Sequence, residues 1–513
     1  MDIVLAYLSG QSDRSDPYIS LLPVGLCSLQ ACLRRDGHNA KLANFSGWSH
    51  QEMTRYLLAA KPAMLGISIW THNRHTSLEL ARLVRKLLPG CHLVAGGAHA
   101  SFQYADLLLS HDTPFDVVVI GEGEATLGAL AQRVARGQEW HDLDGIAFSR
   151  NGEVVVTSPR SFLQELDQLP FPASCLEYSV GVDQQLQPEF ILSSRGCPSA
   201  CTFCSSPAFW SRKVRFRSPI SMVDEIVFIR DRYGLIYFSI RDDTFTVDRS
   251  RTIEFCRLLI EARLGILWNC QSRVNVLDHE LLVWMKRAGC ECIQLGVESG
   301  SPRILKQLGK AITPQQVEHA AGLIRAVGIN LSIYLISDIP GETEQDQQLT
   351  LELIRRVRPD DGYVSPLAYF PGTRLFESAR ESGVVSSLLF SEQQGDALFV
   401  AASPARNQRL LKTLARSGVK KNASLFRQQK ELLGYCYASN VIAGEWYRQN
   451  GDISAAEKEF KEICERDPDN PWGAFLLAEL LAETGRSKAA QAYYATVCTL
   501  VSRHQPSLDV LKS

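Results

Sequence analysis

The 513-residue chain predicts an α/β fold in three parts: an amino-terminal doubly wound parallel sheet, a partial (β/α)6 barrel, and an all-α carboxyl-terminal repeat region. Three observations carry this. Over residues 1–155 short apolar runs alternate with helices whose apolar residues follow helical spacing. Over 189–385 the alternation recurs as six further strand–helix units, with 156–188 as a linker. From 386 to 513 the pattern is helical, and its residues recur 34 positions apart between about 438 and 505.

In the first part, Ile3–Leu8, Ala40–Asn44, Met64–Trp70, His92–Ala95 and Asp116–Ile120 read as strands, and Leu22–Leu33 and Thr76–Leu88 as helices. Asp36-Gly37 is a fitting helix end. Doubly wound sheets bind ligands at the carboxyl ends of their strands. Gly96-Gly97 and Gly121-Glu122-Gly123-Glu124 follow strands four and five, where bare backbone lets a large ligand approach; tight turns alone would also explain them.

In the second part the expected strands are Phe190–Ser194, Ile236–Arg241, Leu267–Ser272, Cys292–Val297, Leu331–Ser337 and Gly362–Ala368. Helices are expected at Ser221–Tyr233, Arg249–Arg263, His279–Ala288, Pro314–Val327 and Glu344–Arg356. In the third part Gly451 recurs as Gly485, Ala456 as Ala490, Phe460 as Tyr494 and Cys464 as Cys498, a period shared with tetratricopeptide repeats. Two such repeats are expected to pack on neighbouring helices, as a structural cap or as a surface for a protein partner.

Composition bounds the function. Apolar residues make up 45%, and the net charge of −2 with no basic stripe gives no electrostatic footprint for nucleic acid. No apolar run is long enough to span a membrane, and Met1–Tyr7 reads as a strand rather than a signal peptide. A cytoplasmic protein with 14 reduced cysteines is expected. Cys27, Cys32, Cys256, Cys464 and Cys498 read as small core residues. Cys270, Cys290 and Cys292 lie near strand ends, where packing is again the simplest role.

The most specific signal is Ser194-Arg195-Gly196-Cys197-Pro198-Ser199-Ala200-Cys201-Thr202-Phe203-Cys204. A Cys-x3-Cys-x2-Cys run can hold three irons of a [4Fe–4S] cluster and leaves the fourth iron without a protein ligand, which marks chemistry. A structural zinc site is the alternative, but no Cys or His pair elsewhere closes one.

The motif, preceded by the apolar run Phe190-Ile191-Leu192 and carrying Phe203 before its third cysteine, resembles the radical S-adenosylmethionine (SAM) enzymes. The resemblance implies that Cys197, Cys201 and Cys204 bind the cluster, that SAM chelates the fourth iron, and that Phe203 packs near the adenine. It further places Asp242 or Asp243 near the methionine ammonium, Arg273 near its carboxylate, Glu298 and Ser299 near the ribose or methionine polar groups, and Pro340-Gly341 at the adenine side. Helix capping competes for the acids and for Ser299. Phe370–Phe376 resembles the family's closing segment; Tyr334 and Tyr369 face the substrate or the core.

The run Leu22-Pro23-Val24-Gly25-Leu26, with Gly96-Gly97-Ala98-His99 and Gly121–Glu124, resembles the cobalamin-binding, Rossmann-like domain of B12-dependent radical SAM enzymes. It implies cobalamin held by Pro23, Gly25, Gly96, Gly97, His99, Gly121, Glu122, Gly123 and Glu124, with Ser9 and Thr71 beside them. Asp36-Gly37-His38 lacks the glycine and the position of a cobalt-ligating Asp-x-His-x-x-Gly motif, so His38 is expected at the surface and His99 at the corrin edge.

The resemblance implies a methyltransferase that activates an unactivated carbon through a 5′-deoxyadenosyl radical and methylates it from methylcobalamin. Its substrate would be a small molecule, a lipid or a peptide, its electron donor a flavodoxin or ferredoxin. A cyclase or oxidative rearrangement enzyme of tetrapyrrole type and a non-catalytic Fe–S scaffold are the alternatives.

Overall fold

The computed structural model describes residues 1–9, 21–109, 113–386 and 403–512. These fall into two compact units, one within 1–187, 201–215 and 368–400, the other within 188–200, 216–367 and 401–513. The start of the helical region expected from residue 386 lies largely outside the described residues.

The first unit is built on an eight-stranded sheet: β1 (Asp2–Tyr7), β2 (Asn39–Asn44), β3 (Met64–Ser68), β4 (His92–Gly96), β5 (Val117–Val119), β6 (Ile146–Arg150), β7 (Glu153–Val156) and β8 (Ser179–Val180), in the order β7-β6-β5-β4-β3-β1-β2-β8. The strands β1 to β5 and β8 run parallel. Strand order reverses between β1 and β3, which is where doubly wound sheets open a crevice for ligands. The expected strands all form. The helix expected at Leu22–Leu33 runs Val24–Arg35, because Pro23 supplies the residue before its first turn and Leu26 N–H donates to Pro23 O.

One feature of this sheet was not expected. The strands β6 and β7 form an antiparallel hairpin on its edge, closed by Asn151-Gly152 with φ of 55° and 81°. Asn-Gly between apolar runs signals such a turn, since both positions need positive φ. The helices His50–Ala60 and Gly123–Ala135 were also unforeseen; Ser49 caps the first through a capping box with Glu52.

The second unit carries a six-stranded, wholly parallel sheet: β9 (Phe190–Ile191), β12 (Tyr237–Ile240), β13 (Leu267–Ser272), β14 (Cys290–Glu298), β15 (Asn330–Ser337) and β16 (Asp361–Pro366), in chain order across the sheet. Short strands β10 (Ser194–Arg195) and β11 (Arg215–Phe216) precede β12. The helices Pro219–Tyr233, Arg249–Glu261, His279–Arg287, Pro314–Ala326 and Glu344–Val357 fall between the strands, within a few residues of the expected ranges. They pack on Phe238, Ile240, Trp268, Ile293, Leu295, Ile333 and Leu335, all of which are buried.

Helices Tyr437–Gln449 and Ile453–Arg466 are followed by Pro471–Glu483 and Ser487–Leu500, each starting 34 residues after its counterpart. Of the repeat positions, Ala456, Phe460, Ala490 and Tyr494 are buried, whereas Cys464 and Cys498, expected as core residues, are only half-buried because they lie toward the open side of their helices. Gly444 and Gly473 leave no room for a Cβ, against Phe460 and Ile463 respectively, so the paired helices touch backbone to side chain. The repeats sit on the amino edge of the six-stranded sheet: Tyr437 Oη donates to Ile266 O at 2.5 Å, and Arg503 Nη1 to Arg232 O at 3.0 Å. Among the described residues no helix is long and apolar enough to cross a membrane.

Candidate functional site

The chain enters the cysteine loop from β9 through Ser193-Ser194, and that segment is fixed from several sides. Asp242, just past β12 and 1% exposed, accepts four hydrogen bonds there: Ser193 N–H at 2.6 Å, Ser194 N–H at 3.1 Å, Ser194 Oγ at 2.7 Å and Ser193 Oγ. Arg251 donates to Ser193 O at 2.8 Å, and Arg217, ion-paired with buried Glu225, donates to Leu192 O at 3.3 Å. The carboxylate of Asp242 is thus spent on the backbone that carries the loop. Its neighbour Asp243 is exposed at the same strand end.

From Gly196 to Ser205 the chain has no regular secondary structure. Cys197 and Cys201 are 7% and 8% exposed and Cys204 is half-buried; Cys197 Sγ lies 3.7 Å from Thr244 Oγ1. The chain passes from one compact unit to the other between Ala200 and Cys201. Among the described residues no three His, Cys, Asp or Glu side chains are gathered at metal-binding distance. Three thiols within one short irregular loop are nevertheless of the donor type that iron–sulfur clusters take, and metal sites commonly close as their metal binds. Phe203 is half-buried, and Thr202 O accepts Leu375 N–H at 2.9 Å, so the Phe370–Phe376 segment is tied to the loop.

The remaining polar groups stand at the carboxyl ends of the six strands. Arg273 follows β13 and is half-buried. Glu298 ends β14 with φ of 67°, and Asp338 follows β15 with φ of 59°. Left-handed backbone at two adjacent non-glycine strand ends is strain of the kind that collects at ligand sites. Glu298 Oε1 pairs with Lys310 Nζ at 2.6 Å, both side chains under 10% exposed, while Oε2 accepts no hydrogen bond among the described residues. Gly296 permits this pair, since a Cβ there would lie 2.7 Å from both Glu298 Oε1 and Lys310 Nζ. Ser299 is buried and its Oγ accepts Ser301 N–H, a turn-forming role. Pro340 O and Gly341 O accept Gln307 Nε2 and Arg303 Nη2 at 2.8 and 2.7 Å, while the Cα of Gly341 faces open space.

At the carboxyl edge of the eight-stranded sheet, Gly25, Gly96 and Gly121 each have nothing within 4 Å of where a Cβ would stand. That bare cradle fits a flat macrocycle. Gly97 differs: at φ of 95° its missing Cβ would lie 2.7 Å from Ile69 O, so it is needed for packing. Glu122 is held by Arg215 Nη1 at 2.8 Å and by Leu163 N–H at 2.8 Å, and Glu124 by Ser28 Oγ at 2.9 Å. Their backbone at the Gly121–Gly123 turn, rather than their carboxylates, is what remains to face a cofactor. Pro23 and Gly25 open the first helix, and Ser9 N–H donates to Ser46 Oγ at 2.7 Å.

Two histidines lie differently from expectation. His38 is buried, not on the surface. It precedes β2, at the amino edge of the sheet, where the chain turns back after Arg35, and burial lowers its pKa. A ring at the amino edge is remote from the carboxyl-edge cradle and is no cobalt ligand there. His99 lies in a five-residue helix, Ala98–Phe102, not a loop, and is 4% exposed. Its Nδ1 stands 3.2 Å from Thr71 Oγ1, and burial, aided by the charge of Arg74, holds the imidazole down to about 3. It is a neutral ring bracing the strand end, and Thr71, 5% exposed, is its partner.

Sequence reasoning passed over Tyr7, Trp70 and His72 at the β1/β3 switch point, where Tyr7 Oη and His72 Nε2 are 3.0 Å apart and Trp70 stacks on His72. It placed Tyr334 among core or substrate-facing residues; Tyr334 lies on the polar face of the barrel sheet, while Tyr369 is buried. Polar residues at every second position of β13 to β15 were the available signal.

Residues 191–354 match the family model of the radical SAM superfamily, 19–131 that of the B12 binding domain, and 447–497 that of a tetratricopeptide repeat. The chain is a radical SAM protein with a B12-binding domain. Such proteins employ a [4Fe–4S] cluster, SAM and cobalamin. Among relatives of this radical SAM protein is an uncharacterized methyltransferase of Pyrococcus horikoshii, 29% identical over 70% of the chain and 78% of the relative. Another is the anaerobic magnesium-protoporphyrin IX monomethyl ester cyclase of Rubrivivax gelatinosus, 28% identical over 64% of the chain and 60% of the relative. The radical SAM methyltransferase TsrM of Kitasatospora setae, solved with cobalamin and a [4Fe–4S] cluster, shares the fold with a TM-score of 0.62 at 17% identity, over 74% of this chain and 75% of that one.

Proposed function

We propose that the chain is a cobalamin-dependent radical SAM methyltransferase acting on an unactivated carbon. The observation that supports this best is the joining, in one chain, of a three-cysteine loop at the end of a parallel barrel strand and a glycine-edged sheet matched by the B12-binding model. When bound, the cluster, SAM and cobalamin supply radical hydrogen abstraction and a transferable methyl group.

The chain's own residues supply position and exclusion of water. Cys197, Cys201 and Cys204 hold the cluster, on a loop whose entry is set by Asp242 and Arg251. Asp243, exposed at its strand end, takes the SAM ammonium, and Arg273 its carboxylate as a forked donor. Glu298 Oε2 accepts from the ribose diol while Lys310 fixes Oε1. Phe203 and the Pro340-Gly341 turn flank the adenine. Gly25, Gly96 and Gly121 let the corrin lie against backbone. A flavodoxin or ferredoxin serves as electron donor, in the reducing cytoplasm, which suits 14 cysteines that are thiols.

The relatives named as cyclases favour a second reading, ring formation without methyl transfer. Anaerobic turnover with cell extract separates the two. Methyl transfer yields 5′-deoxyadenosine together with S-adenosylhomocysteine and a product heavier by one methyl group. Formation of 5′-deoxyadenosine without S-adenosylhomocysteine sinks the methyltransferase reading.

A further inference from the structure

The inner face of the six-stranded sheet is polar, not hydrocarbon. Apolar side chains point to the helices, and the alternate positions carry Gln271 and Gln294, paired in register, with Arg241 just past β12 and Tyr334 two residues beyond that register on β15. Tyr334 Oη donates to Gln294 Oε1 at 2.9 Å and also bonds Gln271 and Arg241. Tyr363, 61% exposed, stacks on Tyr334 with ring centroids 5.7 Å apart. Barrel interiors are usually filled by branched apolar residues, so a floor of amides, phenols and a guanidinium is a departure with a purpose.

Arg241 is the charged member. Its Nη1 donates to Gln294 Oε1 at 3.4 Å and its guanidinium lies 5.1 Å from the centre of the Phe190 ring, both neutral partners. Among the described residues no carboxylate stands within ion-pair distance of it. Glu189 feels its charge, which works against the burial that raises this carboxyl to about 7.

Resting on the methyltransferase reading, we infer that the substrate is a polar anionic small molecule, seated by a carboxylate or phosphate on Arg241 over the Gln271–Gln294–Tyr334 floor. A hydrocarbon substrate would strip water from the Arg241 guanidinium and offer no charge in return. An anion instead takes a charge-assisted, forked contact from the guanidinium.

The test uses the full chain with cluster and cobalamin, saturated with SAM so that the SAM-binding groups are occupied. Saturation-transfer NMR with succinate and line broadening of the inorganic phosphate 31P signal report the two anion arms; octanol is the apolar arm. We expect binding of at least one anion, weakened about tenfold or more in Arg241→Ala, as befits loss of a charged hydrogen bond, and partly kept in Arg241→Lys. Octanol should show no Arg241-sensitive transfer. Binding of neither anion, or anion binding equal in Arg241→Ala, overturns the inference, as does octanol binding that excludes both anions. SAM binding by Arg241→Ala, read separately, checks that the variant is folded. Absence of S-adenosylhomocysteine in turnover would sink the methyltransferase reading while leaving this anion site measurable.

Discussion

The six-stranded sheet has two edges made of the same strands and held in opposite ways. At the amino edge long polar side chains are anchored on backbone carbonyls. Lys286, fully buried, donates to Gly328 O at 2.8 Å and Ala438 O at 3.2 Å; burial pulls its ammonium down to about 8. Gly289 leaves room for Tyr437 Oη and Ile266 O where any Cβ would collide. At the carboxyl edge the chain instead carries left-handed Glu298 and Asp338, an exposed Asp243 and a half-buried Arg273. On the proposed function, stability is built into the first edge and ligand chemistry into the second, a division of labour common to parallel barrels. The repeats belong to the first: they close the amino edge.

The comparison is broken most directly at the carboxyl edge. Cys201→Ala should abolish SAM cleavage and cluster iron while cobalamin still binds; iron and sulfide analysis with the corrinoid spectrum reads both, and retained cleavage would refute the loop assignment. Next come the adjacent aspartates. Asp242→Ala strands four buried donors and should cost about 3 kcal/mol or more in stability, and Asp243→Asn should raise the SAM KM. An unchanged melting temperature in Asp242→Ala would refute its bracing of the loop entry, and an unchanged KM in Asp243→Asn its contact with SAM.

At the amino edge, Lys286→Met should lower stability by about 2 kcal/mol by removing the hydrogen bonds to Gly328 O and Ala438 O, with SAM cleavage per folded molecule unchanged. Reduced cleavage in that variant would mean the edges are coupled. The smallest effect is expected in the other sheet. His99 is held down to about 3 when folded, against 6.5 as its ordinary value. The unfolded chain therefore binds the extra proton first, and stability falls as pH drops from 6.5 toward 3. Melting curves of His99→Gln across that window should lose part of the acid slope; an unchanged slope would remove His99 from the account.

Much of this was legible from residue order. All six barrel strands and the five helices between them follow from apolar periodicity, because each element has one face against a single continuous core. The cysteine loop was legible because its ligands are local. Less so was the side-chain face of each strand: Gln271, Gln294 and Tyr334 alternate with buried aliphatics, yet nothing local says that the side they share is the sheet's inner one. The Asn151-Gly152 hairpin was written plainly and passed over, since the parallel pattern before it suggested no antiparallel edge.

Sequence by itself determined the periodic elements, the 34-residue repeat and the thiol spacing, since each depends on contacts within a few residues or on a repeat that needs no partner. Tertiary structure decided which of two neighbouring aspartates is consumed by backbone, that His38 is buried at the far edge, and that the repeats close the amino end. Those outcomes depend on groups some fifty to nearly three hundred residues apart meeting in space, such as Ser193 with Asp242 or Arg232 with Arg503, and burial and hydrogen-bond supply at such meetings are not encoded in any local stretch.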